Sequence, residues 1–427
     1  MTVDGVCVTR MMLHMAFFLA YRHTSCVVAA AVLLTVTAVP AAAAPGAGVR
    51  SQDPGTTLLP PLPVRLGDGR PCTGASRTTA TGTVWSQTTL GLSAAQRVTR
   101  GAGVTVAVVD TGVSPDVPAL AGRVTAAAGA GDDCVGHGTF AAGLIAAAER
   151  KGSGVVGVAP EADVLALRGT DDRGVPDATL VADAIRTAAD SGAQVVYVGH
   201  TLRTGREELT DAVAHAAGRG ALVVAPAAPD AVPDEELGPE GERPTGPYWP
   251  AAAPGALAVV DFGAGGTRQE SAPPAWQPDL AAPGSGMVSV GPRGAGHYIG
   301  SGASLAAAEV AGAAALVRAR QPALSGAAVR RRLLETAYPA DPPRLDPTAA
   351  LTLVRDPDDR GARSAGAPPA RLPAAADPTP RHRALAAAGA VTGLVLLMGW
   401  AAVVIPRGRA RGWLPPGRRT GRAAPPS

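Results

Sequence analysis

Five short apolar runs, each nearly continuous and not alternating, recur between longer Ala-rich stretches from about 101 to 350. They are VTVAVVD (104–110), DVLALR (163–168), QVVYVG (194–199), ALVVAP (221–226) and ALAVVD (256–261). A strand that is apolar at every position has to be covered on both faces, and a strand–helix–strand order lays successive strands parallel. The pattern therefore predicts an α/β fold with a parallel sheet flanked by helices, the helices covering 137–150, 177–191, 207–219, 304–321 and 325–337. Chemistry in such sheets gathers beyond the carboxyl ends of the strands. With 46% hydrophobic and 17% charged residues the chain is not wholly disordered, and with 4 Phe, 5 Tyr and 5 Trp its core has to be tight and aliphatic. The 38 basic residues are balanced by 35 acidic ones, which leaves no nucleic-acid footprint.

Both ends carry apolar blocks. SCVVAAAVLLTVTAV (25–39) follows Arg10, Arg22 and His23 and precedes Pro40 and four alanines. These are the charged, apolar and small-residue regions of a secretory signal cleaved near Ala44, with Met11, Met12 and Met15 as alternative starts. The other reading, an N-terminal anchor, requires a longer charge-free core of ~20 residues. The second block, ALAAAGAVTGLVLLMGWAAVVI (384–405), is 22 residues without a charge, enough to cross a bilayer. Arg407, Arg409, Arg411, Arg418, Arg419 and Arg422 follow it, so the positive-inside rule places the tail in the cytoplasm; Arg381 and Arg383 on the other flank weaken that asymmetry without reversing it. The expected organisation is a signal peptide (1–44), an N-terminal extension (45–86), an α/β domain (87–352), a Pro/Ala-rich linker (353–383), a transmembrane helix (384–405) and a basic tail (406–427). The extension, rich in Gly, Pro and Thr, either wraps the domain or stays loose. Cys7 and Cys26 leave with the signal, and the remaining Cys72 and Cys134 are either bridged in an oxidising compartment or two buried thiols.

Gly152, Gly154 and Gly157 fit GxGxxG, but they follow a predicted helix and precede a strand, the reverse of a dinucleotide site. There is no P-loop, HExxH or CxxC, and the seven histidines are scattered, so neither a cofactor nor a metal is expected. Asp132, Asp133, Asp171 and Asp172 read as solvated loop acids before calcium ligands. Three other residues stand out. Asp110 ends the first strand, His137 opens an apolar helix in DDCVGHGTFAAGLIAA, and Ser304 lies on the first turn of a long helix in GSGASLAAAEVAGAAAL. Singly, they read as a turn Asp, a structural His and an N-cap Ser. Together they are the nucleophile, base and orienting carboxylate that peptide hydrolysis requires, in the order Asp, His, Ser. The GxSxG of α/β-hydrolases is absent around Ser304.

The segments DTGV, GHGTFAAGLIAA, GVVGVAP and GSGASLAAAEVAG resemble the signature blocks of subtilisin-like serine peptidases, in order, over about 87–352. The opening VWSQTTLGLSAAQRVTRGAGVTVAVVDTGV, Cys134 just before the His137 block, Cys72 upstream and the C-terminal apolar block are similar to mycosins, the membrane-bound subtilases of type VII secretion systems. The resemblance implies a membrane-anchored, extracytoplasmic serine endopeptidase acting on a protein or peptide beside secretion components. It implies Ser304 as nucleophile, His137 as base, Asp110 as its orienting acid, a Cys72–Cys134 bridge and an N-terminal extension that wraps the domain.

The chain departs from the family at several positions. The asparagine that donates to the oxyanion falls on Asp230, preceded by Pro229, and an ionised carboxylate has no proton to donate. The usual GTSxxxP block reads Gly302, Ala303, Ser304, with Ala308 for proline and Glu309 adding a charge near the nucleophile. The substrate-pairing stretch falls on Tyr197, Val198, Gly199 and His200, where only Gly199 invites close approach by a peptide. Because of Asp230, the competing reading is a catalytically impaired homologue serving as a scaffold or interaction subunit.

Overall fold

The computed structural model describes residues 58–233, 236–239, 241–353 and 379–412. In chain order its elements are α1 (Trp85–Thr89), α2 (Leu92–Val98), β1 (Thr105–Asp110), β2 (Val124–Ala126), α3 (His137–Ala146), β3 (Asp163–Arg168), α4 (Ala178–Asp190), β4 (Val195–Val198) and α5 (Arg206–Gly218). There follow β5 (Leu222–Pro226), β6 (Leu257–Phe262), β7 (Leu280–Pro283), β8 (Met287–Val290), β9 (His297–Gly300), α6 (Ala303–Arg320), α7 (Gly326–Glu335), α8 (Pro347–Thr352) and α9 (Thr379–Ala410). Strands β1 to β7 form one sheet in the order β2-β3-β1-β4-β5-β6-β7, parallel at every pairing. Strands β8 and β9 make an antiparallel hairpin.

The continuity of the apolar runs has a direct cause. On one face Val106, Val108, Val195, Tyr197, Leu222 and Val224 pack with α3 and α6. On the other, Ala107, Val109, Val196, Val198, Val223 and Ala225 pack with α4 and α5. Alternate residues of these strands feed opposite cores, so their middle positions are apolar and polar side chains fall at their ends. Helix α6 is buried from Ala303 to Val317 and so carries no polar stripe. Its small residues set how closely it lies: a methyl at Gly312 would stand 2.6 Å from Val158 Cβ.

All five predicted strands and five predicted helices form within a few residues of their expected bounds. Helix α3 ends at Ala146 instead of 150, because the chain turns away and Ala148 donates to the Ala119 carbonyl at 2.8 Å. Strands β2, β7, β8 and β9 were not expected; at three or four residues each they are too short for periodicity to register. Glu309 does not add the charge expected of it. It is 2% exposed on α6, one carboxyl oxygen has no hydrogen-bond partner, and burial pushes its pKa up to about 8, so it is protonated at neutral pH. Asp133 is likewise no solvated loop acid: it is buried, and accepts from Thr111 Oγ1 at 2.8 Å, Gly136 N at 2.7 Å, and Thr139 N and Oγ1 at 2.8 and 2.7 Å. It thereby ties the end of β1 to the start of α3. Two glycines of the GxGxxG lookalike serve packing: a methyl at Gly154 would lie 1.8 Å from the Gly82 carbonyl oxygen, and one at Gly157 2.4 Å from Ala147 N; the third, Gly152, takes a left-handed turn at φ 81°.

The described part of the N-terminal extension wraps the domain. Leu62 donates to Ile299 O at 2.7 Å, His297 donates to Thr78 O at 2.8 Å and Gly154 donates to Ala80 O at 2.8 Å, so the segment runs beside the hairpin and the loop after α3. Cys72 and Cys134 are bridged, which fastens the extension to the loop that precedes His137. The signal 1–44, the extension 45–57, most of the linker (354–378) and the tail from 413 lie outside the described residues. Helix α9 belongs to a second unit. It contains the uncharged block 384–405, begins inside the expected linker, and carries exposed Leu394, Leu396, Leu397 and Trp400; it is long and apolar enough to cross a membrane.

Candidate active site

Three elements deliver the site. β1 ends on Asp110 at the carboxyl edge of the sheet, α3 begins on His137, and Ser304 is the second residue of α6. His137 Nδ1 lies 2.9 Å from each Asp110 carboxylate oxygen, and its Nε2 lies 3.0 Å from Ser304 Oγ, across sequence separations of 27 and 167 residues. Glycines make the approach possible. A methyl at Gly138 would lie 2.1 Å from the Gly112 carbonyl oxygen, and one at Gly199 only 1.7 Å from Asp110 Oδ2. Gly199 does line the adjoining cleft, but the clearance over Asp110 already accounts for its missing side chain.

Asp110 also accepts the Thr111 N–H at 2.7 Å and the Tyr197 hydroxyl at 3.4 Å. Its complete burial opposes ionisation, yet His137 and then His200 outweigh that and hold its pKa well below the usual carboxylate range. Burial likewise opposes a charged His137, but the Asp110 carboxylate, with help from Asp230, raises its pKa well above the ordinary imidazole value. Tyr197 is pushed well above its usual pKa by burial and by the charges of Asp110 and Asp230, so it remains a neutral donor. Tyr197 and His200 facing Asp110 were not foreseen. The signal was a hydroxyl and an imidazole at the end of an otherwise apolar run, in QVVYVGH.

Asp230 sits against Ser304. Its Oδ1 accepts the Ser304 backbone N–H at 2.9 Å, its Oδ2 accepts the Ser304 hydroxyl, and Oδ2 is 3.3 Å from His137 Nε2. A methyl at Gly302 would stand 2.1 Å from this carboxyl group, so the bare backbone there leaves room for it. The carboxylate thus occupies the N–H that an oxyanion would use and draws the serine proton away from His137. The group lines a cleft of about 620 Å³ with Gly199, His200, Pro226, Ala228 and Tyr248, bordered by Val64 and Arg65 of the wrapping extension.

Comparison with known proteins agrees with this geometry. Residues 101–370 match the subtilase family. The chain is 32% identical over 393 residues to Mycosin-3 of Mycobacterium tuberculosis, covering 76% of this chain and 84% of that protein. The solved MycP3 protease from the type VII (ESX-3) secretion system is 31% identical, with a TM-score of 0.56 over 71% of this chain and 98% of that one. A chain of the intact ESX-5 inner membrane complex is 25% identical, with a TM-score of 0.57 over 82% of this chain and 100% of that one. A parallel sheet with this strand order, these signature blocks and relatives aligned over most of their length mean that the chain belongs to the subtilase family and is a serine endopeptidase of the mycosin type.

Proposed function

We propose that this protein is a membrane-anchored serine endopeptidase in which Ser304 is the nucleophile, His137 the general base and then acid, and Asp110 the orienting carboxylate. The observation that carries the reading is the Ser304 Oγ to His137 Nε2 separation of 3.0 Å with Nδ1 held at 2.9 Å by Asp110. Ser304 Oγ attacks the scissile carbonyl and its proton passes to Nε2, while Asp110 holds the Nδ1–H tautomer and offsets the imidazolium charge. The oxyanion accepts the Ser304 N–H once the Asp230 carboxylate gives way. Nε2–H then protonates the leaving amine, and water repeats the sequence on the acyl-enzyme. Gly199 and the cleft beside it receive the peptide.

The apolar block within α9 serves as the anchor, the arginines after it keep the tail in the cytoplasm, and the catalytic unit then faces outward. The domain bounds are 87–352 for the catalytic unit and 353–383 for its linker. Likeness to a protease and to a membrane complex of type VII secretion supports work beside such a system, on a protein or peptide substrate.

A fluorophosphonate probe tests the chemistry on the full-length protein in detergent. Labelling that is lost in Ser304→Ala is the expected result. Folded wild-type protein that takes no label would overturn catalysis by this triad and leave the scaffold role.

A further inference from the structure

Two histidines share Asp110. His200, at the end of the β4 run, is 8% exposed, and its Nε2 lies 3.4 Å from Asp110 Oδ1. Its ring stacks obliquely on His137 at 5.2 Å between centroids. That nitrogen is buried beside the carboxylate and makes no hydrogen bond, an expensive condition for an imidazole. His137 Nδ1, His200 Nε2 and an Asp110 oxygen all lie within 4.8 Å of one another.

Two imidazoles and a carboxylate are a donor set that suits zinc, with the fourth position left for water. Ligand atoms about 2.0–2.1 Å from a tetrahedral zinc are about 3.3 Å apart. Two of the three edges here, 2.9 and 3.4 Å, are already close to that separation. The third edge, between the two histidines, is no longer than 4.8 Å. His200 also lines the cleft, which supplies an entry path from solvent.

We propose that Asp110, His137 Nδ1 and His200 Nε2 form an inhibitory site for a zinc ion entering through the cleft. Nδ1 cannot donate its proton to Asp110 and its lone pair to a metal at once. A neutral ring must move that proton to Nε2 through solvent, and an imidazolium must release one proton. In either case Nε2 is left protonated and unable to take the Ser304 proton, so zinc stops the reaction without occupying Ser304. The binding step stands on geometry alone, whereas the inhibition rests on the triad assigned above.

The test uses the full-length protein in detergent. Zinc is titrated against a chromophoric chelator with Ser304→Ala and with Ser304→Ala/His200→Asn. The expected result is one equivalent more in the first, with affinity reduced at least about 100-fold in the second. In parallel, each enzyme is titrated with zinc and normalised to its own EDTA-treated rate. The wild type should be inhibited reversibly, and His200→Asn should need at least about 100-fold more zinc. Equal binding in the two Ser304→Ala proteins, or equal zinc sensitivity of the two enzymes, overturns the proposal. Should His200→Asn fail to fold, cobalt added to the unmutated chain decides: saturable tetrahedral ligand-field bands displaced by zinc support the site, and their absence overturns it. Zinc binding as expected in a protein that takes no fluorophosphonate label would uphold the site while removing the triad assignment.

Discussion

An asparagine at position 230 would offer an N–H to the oxyanion, where the aspartate presents only lone pairs and already holds the Ser304 N–H and hydroxyl. One such donor is worth about 2.7–4 kcal/mol, or about a hundred- to thousandfold in rate. Asp230→Asn is therefore expected to raise kcat/KM by up to that factor. The pH profile supplies a second readout, taken with EDTA present throughout. His137 has to be neutral to accept a proton, so activity falls as pH drops through its pKa, which Asp110 and Asp230 raise. Removing the Asp230 charge lowers that pKa, and the acid limb of kcat/KM should move to lower pH. An unchanged rate with an unmoved limb would place Asp230 away from the developing charge.

Helix α6 carries Ser304 and, five residues on, Glu309, whose carboxyl is sealed in the core beside α1. Burial raises its folded pKa to about 8 from an ordinary 4.5. Between those values the folded state holds a proton that the unfolded state has lost. Its favourable contribution is thus complete below about pH 4.5 and is lost as pH rises to about 8, at up to about 1.4 kcal/mol per pH unit. Glu309→Gln keeps the shape and removes the titration. Thermal unfolding of both proteins from pH 5 upward should show the variant gaining on the wild type as pH rises. Parallel curves would mean that the side chain reaches water.

At the scale of the molecule, the catalytic unit is held by its own N-terminal strap. The Cys72–Cys134 bridge and the hydrogen bonds from Leu62 and His297 fix residues ahead of α1 against the hairpin and the loop before His137. The strap also borders the cleft beside the site, at Val64 and Arg65. Helix α9, long and apolar enough to cross a membrane, is the proposed anchor. Deleting 379–427 should move the protein from the membrane to the soluble fraction after cell breakage. Retention in the membrane fraction would make the N-terminal apolar block the anchor instead.

The sequence by itself determined the type and order of the main elements, because an apolar run covered on both faces and an Ala-rich helix are local patterns. It also marked Asp110, His137 and Ser304, since glycines and helix starts around them are read within a few residues. The strands β2, β7, β8 and β9 escaped it, being defined by partners far along the chain and not by their own three or four residues. Position 230 was legible as a substitution, but the direction of its carboxylate was not. That direction, the protonated state of Glu309 and the meeting of His200 with Asp110 were decided by tertiary packing, which sets distance and burial between residues that no local pattern connects.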